Sequence, residues 1–593
     1  MRRSFSAFFL CLGCCLTPLA PGAAQTAQRD SLDAFVKAQM AQRHVRGLSL
    51  AIIKDGRIAV ARAYGVVDDS SKAPVTTSSL FQAGSISKPV SSLGALHLVE
   101  AGKLSLDADV NSTLKSWKVP ENRFTTTEKV TLRRLLSHNA GLTVHGFPGY
   151  DVSERMPTVV QVLDGAPPAN TAPIRVDTTP GAIWRYSGGG FTVMQQMVLD
   201  VTGQPFAQFL QTTVLGPIGM TSSSFEQPLP NDLAARTAAG YYADGSPVRG
   251  RWHVYPEIAA AGLWTTATDL AKWAIEVQET LAGRGHGVIS PAMARQFVTE
   301  QKGGSGLGVG VQGTGANLRF SHGGRDEGFD AFLLAGAETG DGVAIMINAN
   351  DNSRMVGRIR EYIERAWGFS GPPTTIPAPA ATAAVRIDPR LPAKYAGYYE
   401  AAENNMVAVA VNPDGSGMQV LVDGLPDEPL LAMDSASFGS SERPFRVGFT
   451  MNERGTVIGG ALFPGTPRER RAPRVAPLPS SLQPRTDPDP ALAARISAAL
   501  SAIRQGSDAL ASAPDVTPGA KKDFSGGADP ALGAAASATY LGEEDVAGRG
   551  IRRHGGDVAR VRLYRMQTQA GQRYLFVHLT SDGTVTDYDV VTR

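Results

Sequence analysis

Cysteine is nearly missing from this chain of 593 residues: there are three, Cys11, Cys14 and Cys15, all at the extreme N-terminus. If that segment is removed, no disulfide framework, thiolate nucleophile or cysteine–metal centre can form. Long apolar runs are missing as well. Beyond residue 20 no stretch approaches the ~18 apolar residues that a membrane-spanning helix needs. Charge of one sign does not dominate either. The 57 Lys and Arg against 55 Asp and Glu leave a formal net charge of +2, which argues against a dedicated nucleic-acid binder. There is no His-Glu-x-x-His to hold zinc and no Gly-x-x-x-x-Gly-Lys to cradle nucleotide phosphates. The glycines of residues 303–310 lack the strand-and-helix setting of a dinucleotide site. No cofactor or metal is expected, and no internal repeat is visible.

What is present begins with the N-terminus. MRR, the apolar residues 4–20 and the small residues of PGAAQ form the pattern of a secretory signal peptide over residues 1–24. The remainder is then expected to be exported, periplasmic or secreted, with no stable membrane span. The chain is too long for one core. Residues 26–370 run helix, hairpin, helical middle, hairpin, helix. The hairpins centre on Asp55-Gly56 and on residues 339–341, and helical spacing covers residues 31–45 and 354–368. This order points to an α+β domain, an antiparallel sheet flanked by helices. A Pro/Ala/Thr-rich linker (371–390) follows, then short β-like runs over 391–475 that predict a small barrel or sandwich. RERRAPR near the end of that region is expected to be a solvated linker edge. Residues 476–490 read as a second linker. Residues 491–593 read as a small α+β domain with one helix (491–505), a patternless stretch (511–538) and a three-stranded meander.

The chemistry concentrates in the first domain, where GSISK holds two serines beside Lys88. A serine hydroxyl is a weak nucleophile until a neighbouring group takes its proton. Residues three apart share a helix face and adjacent ones do not, so Ser85, not Ser87, faces Lys88 if the stretch is helical. Pro89 supports a helix start here, because proline is tolerated in a first turn. A helix N-terminus also offers free N–H groups to a developing oxyanion. Ser112-Thr113-Leu114-Lys115 repeats the spacing and reads as surface.

The segment FQAGSISKPVSSLGALHLVEAGKLSLDADV resembles the nucleophile region of the serine β-lactamase and penicillin-binding protein superfamily, closest to the branch of class C β-lactamases, DD-peptidases, D-aminopeptidases and related esterases. LRRLLSHNAGL and AAAGLWTTATDLAKWA are similar to that branch too, with His138 as a structural hydrogen-bonder. The resemblance covers roughly residues 31–368. It implies a β-lactamase/transpeptidase-like fold and an acyl-enzyme on Ser85. Tyr186 of WRYSGGGF would be the general base beside Lys88, and His322 of HGG would stand on a strand bordering the site. Gly324 would lie in that strand, and the backbone N–H of Arg325 would join that of Ser85 as the oxyanion hole. Gly188 stands where the family carries asparagine, so the amide that helps bind a substrate amide is missing. The expected partner is a small-molecule or peptide substrate: a D-amino-acid peptide, a β-lactam-like amide or an ester. An esterase acting on small acyl esters and a penicillin-binding sensor that does not turn over remain alternatives. The β region resembles the lipocalin-like domains appended to some of these hydrolases.

Overall fold

The computed structural model describes residues 21–591 apart from 243–244, 351–352, 370–384, 386, 389, 403–404, 412–416, 422–427, 441–445, 463, 465–468, 525–531, 533–536, 555 and 569–570. Strands β1 (Gly47–Lys54) and β2 (Arg57–Gly65) meet at Asp55-Gly56, both left-handed (φ 53° and 70°), as an Asp-Gly turn requires. With β3 (Gly310–Gln312), β4 (Arg319–Asp326), β5 (Phe329–Gly336) and β6 (Gly342–Ile347) they form one antiparallel sheet, ordered β2-β1-β6-β5-β4-β3. β1 is buried along both faces. Leu48, Leu50 and Ile52 serve one core, and Ala51 and Ile53 the other.

The outer face carries the helices α1 (Pro21–Arg43) and α5 (Ser353–Ala366), through Leu32, Val36, Met355, Ile359 and Ile363. Each fully buried aliphatic side chain of this kind contributes ~1.5–3 kcal/mol relative to exposure. The inner face carries α4 (Ala267–Leu281). Beyond it lies the helical middle of the chain around α2 (Ser87–Glu100), buried along most of its length, and α3 (Gly188–Thr202). The first helix starts earlier than its apolar spacing indicates, at Pro21 instead of residue 31. Most of the expected signal peptide lies outside the described residues. Among the described residues no helix is long and apolar enough to cross a membrane.

The β region is a closed barrel of eight strands, from Gly397–Ala402 to Arg470–Ala476. It closes because the first strand pairs with the last, Tyr398 with Ala476 and Tyr399 with Arg474. RERRAPR is therefore no linker edge. It enters the closing strand, with Ala472 buried and Arg470 and Arg471 exposed. Most of the expected linker 371–390 lies outside the described residues.

The C-terminal region packs a helix, Pro490–Gln505, on a sheet of four strands, one more than the expected meander. The addition is the edge strand Thr539–Asp545, whose glycine and acidic residues interrupt the apolar alternation. The patternless stretch contains a short helix, Pro518–Asp523. Barrel and C-terminal sheet share a core, in which Tyr398 and Val475 meet Leu541 and Phe576. Leu478 and Leu482, in the expected second linker, pack against that core. Buried Arg553 ties the two regions together, 2.6 Å from Glu400 and 2.9 Å from Asp587.

Candidate active site

Ser85 sits in a 3-10 turn, Gly84–Ile86, that runs directly into α2. Pro89 falls in the first turn of α2, where its missing N–H leaves no bond unmade. The two serines diverge. Ser87 Oγ donates to the Gly84 carbonyl at 2.6 Å and accepts from the Leu263 N–H at 2.9 Å, so it is fully engaged inside the protein. Ser85 Oγ opens to a cavity and accepts from Lys88 Nζ at 3.0 Å. Lys88 Nζ also donates to the Ala260 carbonyl at 2.9 Å, and the residue is only 2% exposed. The second Ser-x-x-Lys match is remote from this cavity, with Lys115 bound to Asp200.

Tyr186 lies two residues before α3, next to its cap Ser187. Ser187 caps that helix by accepting from the Gly190 N–H and donates to the Thr143 carbonyl. The Tyr186 ring is stacked on His138 (centroids 4.2 Å apart) and flanked by His145 at 4.9 Å, with Lys88 Nζ 5.1 Å from its centroid. His138 is buried and accepts from the Ser187 N–H through Nδ1 at 3.2 Å. Burial first, then the Lys88 charge, pushes its ring well below the ordinary histidine range.

Strand alternation sends His322 and Gly324 of β4 toward Ser85, and Arg325 to the opposite face, toward α5. His322 Nδ1 donates to the Gly323 carbonyl at 2.6 Å, leaving Nε2 as an acceptor. The ring is pushed down to about 4 by burial and then by Lys88, so it is neutral at pH 7. β4 and the Ser85 turn touch backbone to backbone. A Cβ on Gly84 would fall 2.4 Å from the Arg325 nitrogen, and one on Gly324 would fall 1.9 Å from the Ala83 carbonyl oxygen. Only glycine permits this approach.

Ser85, Tyr186, His322, Gly324 and Arg325 thus line one cavity of ≈ 630 Å³, with Lys88 beneath Ser85. Gly188 is set apart from that lining. It begins α3, where a Cβ would fall 2.9 Å from the Phe147 ring and 3.1 Å from the His145 carbonyl, so the space of an asparagine side chain is already filled.

Two buried acids behind Lys88 have no signature in the sequence. Glu257 stands at the N-cap position of the short helix that presents the Ala260 carbonyl, without a side-chain capping bond; both its carboxyl oxygens lack partners among the described residues, and burial pushes it up to about 8. Asp326, at the end of β4, is raised well above the carboxylate range by burial, against the opposing pull of Lys88. His145 and Trp184, also on the cavity wall, have no motif of their own. Asp330 could have been found from hairpin register, since a two-residue turn at Glu327-Gly328 sets it opposite Arg325.

Among the described residues His578, Asp587 and Asp589 form a group with metal-ligating atoms within 4.8 Å of one another. The Arg553 guanidinium already lies 2.9 and 3.2 Å from the two carboxylates and supplies the positive charge there.

A family model described as Beta-lactamase matches residues 32–366. The protein flp of Staphylococcus aureus (strain N315) is 23% identical over 353 residues, which are 56% of this chain and 66% of that protein. Penicillin-binding protein 4 of Amycolatopsis lactamdurans is 28% identical over 263 residues, 43% of this chain and 65% of its own length. The chain thus spans slightly under two thirds of the curated relatives it matches. In fold it is similar to the octameric penicillin-binding protein homologue from Pyrococcus abyssi, with a TM-score of 0.51 at 21% identity, covering 75% of this chain and 99% of that one.

Proposed function

This chain belongs to the beta-lactamase family, and from that premise we propose that it is a serine hydrolase working through an acyl-enzyme on Ser85, with an ester or amide as substrate. The observation that carries the reading is the hydrogen bond between cavity-facing Ser85 Oγ and buried Lys88 Nζ, while Ser87 is spent on Gly84 and Leu263.

In this mechanism Ser85 Oγ attacks the substrate carbonyl carbon, and the new C–O bond pushes the carbonyl electrons onto oxygen. The N–H groups of Ser85 and Arg325 hold that oxyanion, a use supported by the backbone contact of their segments. The hydroxyl proton passes through Lys88 and Tyr186 to the departing alkoxide or amine as the tetrahedral intermediate collapses. Water then enters, loses its proton to the same pair, attacks the acyl carbon, and Ser85 Oγ leaves with the proton returned to it. His322, neutral with its Nε2 lone pair directed by the Gly323 contact, accepts a hydrogen bond in the cavity and does not contribute a cation. Export is part of the proposal, supported by the apolar N-terminal segment of the sequence.

The experiment is incubation of the protein with a fluorophosphonate and, separately, a penicillin, with adducts mapped by mass spectrometry. A fluorophosphonate adduct on Ser85 that is lost in Ser85→Ala is expected. A penicillin adduct that persists on Ser85 would favour peptidoglycan-related amide substrates. No adduct on Ser85 from either reagent would overturn the proposal in favour of a non-catalytic binding protein.

A further inference from the structure

We propose that the substrate is uncharged where it meets β4 and α5, and that Asp330 sets this specificity by neutralising Arg325. The inference rests on the acyl-enzyme reading of Ser85 and names the class of ester or amide that the site accepts.

The cavity wraps the edge of β4. β3 pairs only with Arg319, Phe320 and Ser321, and beyond them the wall continues onto α5 through Val356, Gly357 and Arg360. Two guanidiniums face this extension, and each already has a carboxylate. Arg325 gives Nε to Asp330 Oδ1 at 2.8 Å and Nη2 to Oδ2 at 3.2 Å, a two-pronged pair fixed by their opposition across the β4–β5 hairpin. Arg325 is 45% exposed at its side chain and Asp330 only 5%, and both line the cavity, so the cation meets it with its counter-charge already in place. Arg360 lies 5.3 Å above the Phe332 ring and 3.3 Å from Glu364, which Arg319 also holds at 3.3 Å.

The histidines on the cavity wall, His138, His145 and His322, are each pushed below the ordinary histidine range by burial and then by the Lys88 charge. Ser305 and Ser321 add hydroxyls, and the apolar part of the wall is Trp184, 42% exposed and next to the exposed Ile183, with Ala331, Phe332 and Val356. Asp330 already offsets the Arg325 charge, and a substrate carboxylate that approaches this guanidinium also approaches the Asp330 carboxylate, so it is desolvated for little Coulombic return. An uncharged apolar group meets no such penalty and gains burial against Trp184 and Phe332.

The test uses the full chain and two matched pairs of esters. Methyl 4-acetoxybenzoate against 4-acetoxybenzoate places the carboxylate on the leaving group. p-Nitrophenyl hexanoate against mono-p-nitrophenyl adipate places it on the acyl group. Each kcat/KM is normalised to the ester's own rate with hydroxide. We expect the uncharged member to be favoured at least tenfold in both pairs. Asp330→Asn should raise the carboxylate member relative to its partner at least tenfold in one pair. Arg325→Met, which removes the cation and keeps the Asp330 carboxylate, should move the same ratio the other way. Equal use of charged and uncharged members by the wild type, or ratios that both variants leave within twofold, overturns the specificity assignment while an adduct on Ser85 keeps the hydrolase reading. Absence of turnover together with absence of any Ser85 adduct overturns both.

Discussion

Gly324→Ala tests the contact on which the oxyanion site depends. A Cβ at this position falls 1.9 Å from the Ala83 carbonyl oxygen, 3.0 Å from its carbon and 3.2 Å from Ile86 Cγ1. A carbon–oxygen contact settles near ~3.3 Å, so β4 and the turn that carries Ser85 must part by more than an ångström. Ala83 is held by a backbone bond to Leu263 at 2.9 Å, and β4 is paired along its length with β5. Neither side yields easily, and overpacking of this kind costs ~1–3 kcal/mol of stability. The catalytic effect is larger. A shift of ~1 Å between reacting groups can lower the rate ~10²-fold, equivalent to about 2.7 kcal/mol in the barrier. Gly323→Ala is the matched control, since its Cβ meets nothing within 4 Å among the described residues. The assay is kcat/KM on p-nitrophenyl hexanoate beside a thermal melt of each variant. The reasoning is refuted if Gly324→Ala keeps activity within threefold of wild type, or if Gly323→Ala melts as far below wild type as Gly324→Ala does.

Two further outcomes follow from buried groups. Ser87→Ala removes the bridge between the Gly84 carbonyl and the Leu263 N–H, so stability should fall by ~1–3 kcal/mol while fluorophosphonate labelling of Ser85 persists; loss of the label in a folded Ser87→Ala protein would contradict the assignment of the nucleophile. Glu257 is pushed up by burial from near 4.5 to about 8, so between those pH values the folded chain holds a proton that the unfolded chain has released. Its contribution is therefore fully present below pH 4.5 and declines as pH rises toward 8, by at most about 1.4 kcal/mol per pH unit. In urea unfolding, Glu257→Gln should gain on wild type by roughly 3 kcal/mol between pH 5 and pH 8; a constant difference across that range would show that Glu257 does not carry the proton.

Much of the fold was legible because its signals are local. Asp55-Gly56 is a two-residue turn whatever surrounds it, and the apolar spacing of residues 31–45 and 354–368 marks helices that bury one face. Local signals also explain the misses. The edge strand Thr539–Asp545 is half exposed, so its pattern is weak, and RERRAPR reads as solvated because Arg470 and Arg471 are exposed on the barrel strand they share with buried Ala472. At the candidate site, the three-residue spacing of Ser85 and Lys88 is enough to separate Ser85 from Ser87, since it depends on helix geometry alone.

What the sequence by itself determined is therefore the hairpins and flanking helices of the first domain in their order, the family likeness and the serine that can meet a lysine on one helix turn. Only the tertiary structure decided what surrounds them. Residues far apart in the chain bring Phe147 into the space beside Gly188, bury Glu257 and Asp326 behind Lys88, and neutralise His322. The Arg325–Asp330 pair depends on hairpin register, and its consequence depends on α5 closing the far wall of the cavity. These are effects of burial and of charge in a low-dielectric interior, and both depend on which distant segments pack together.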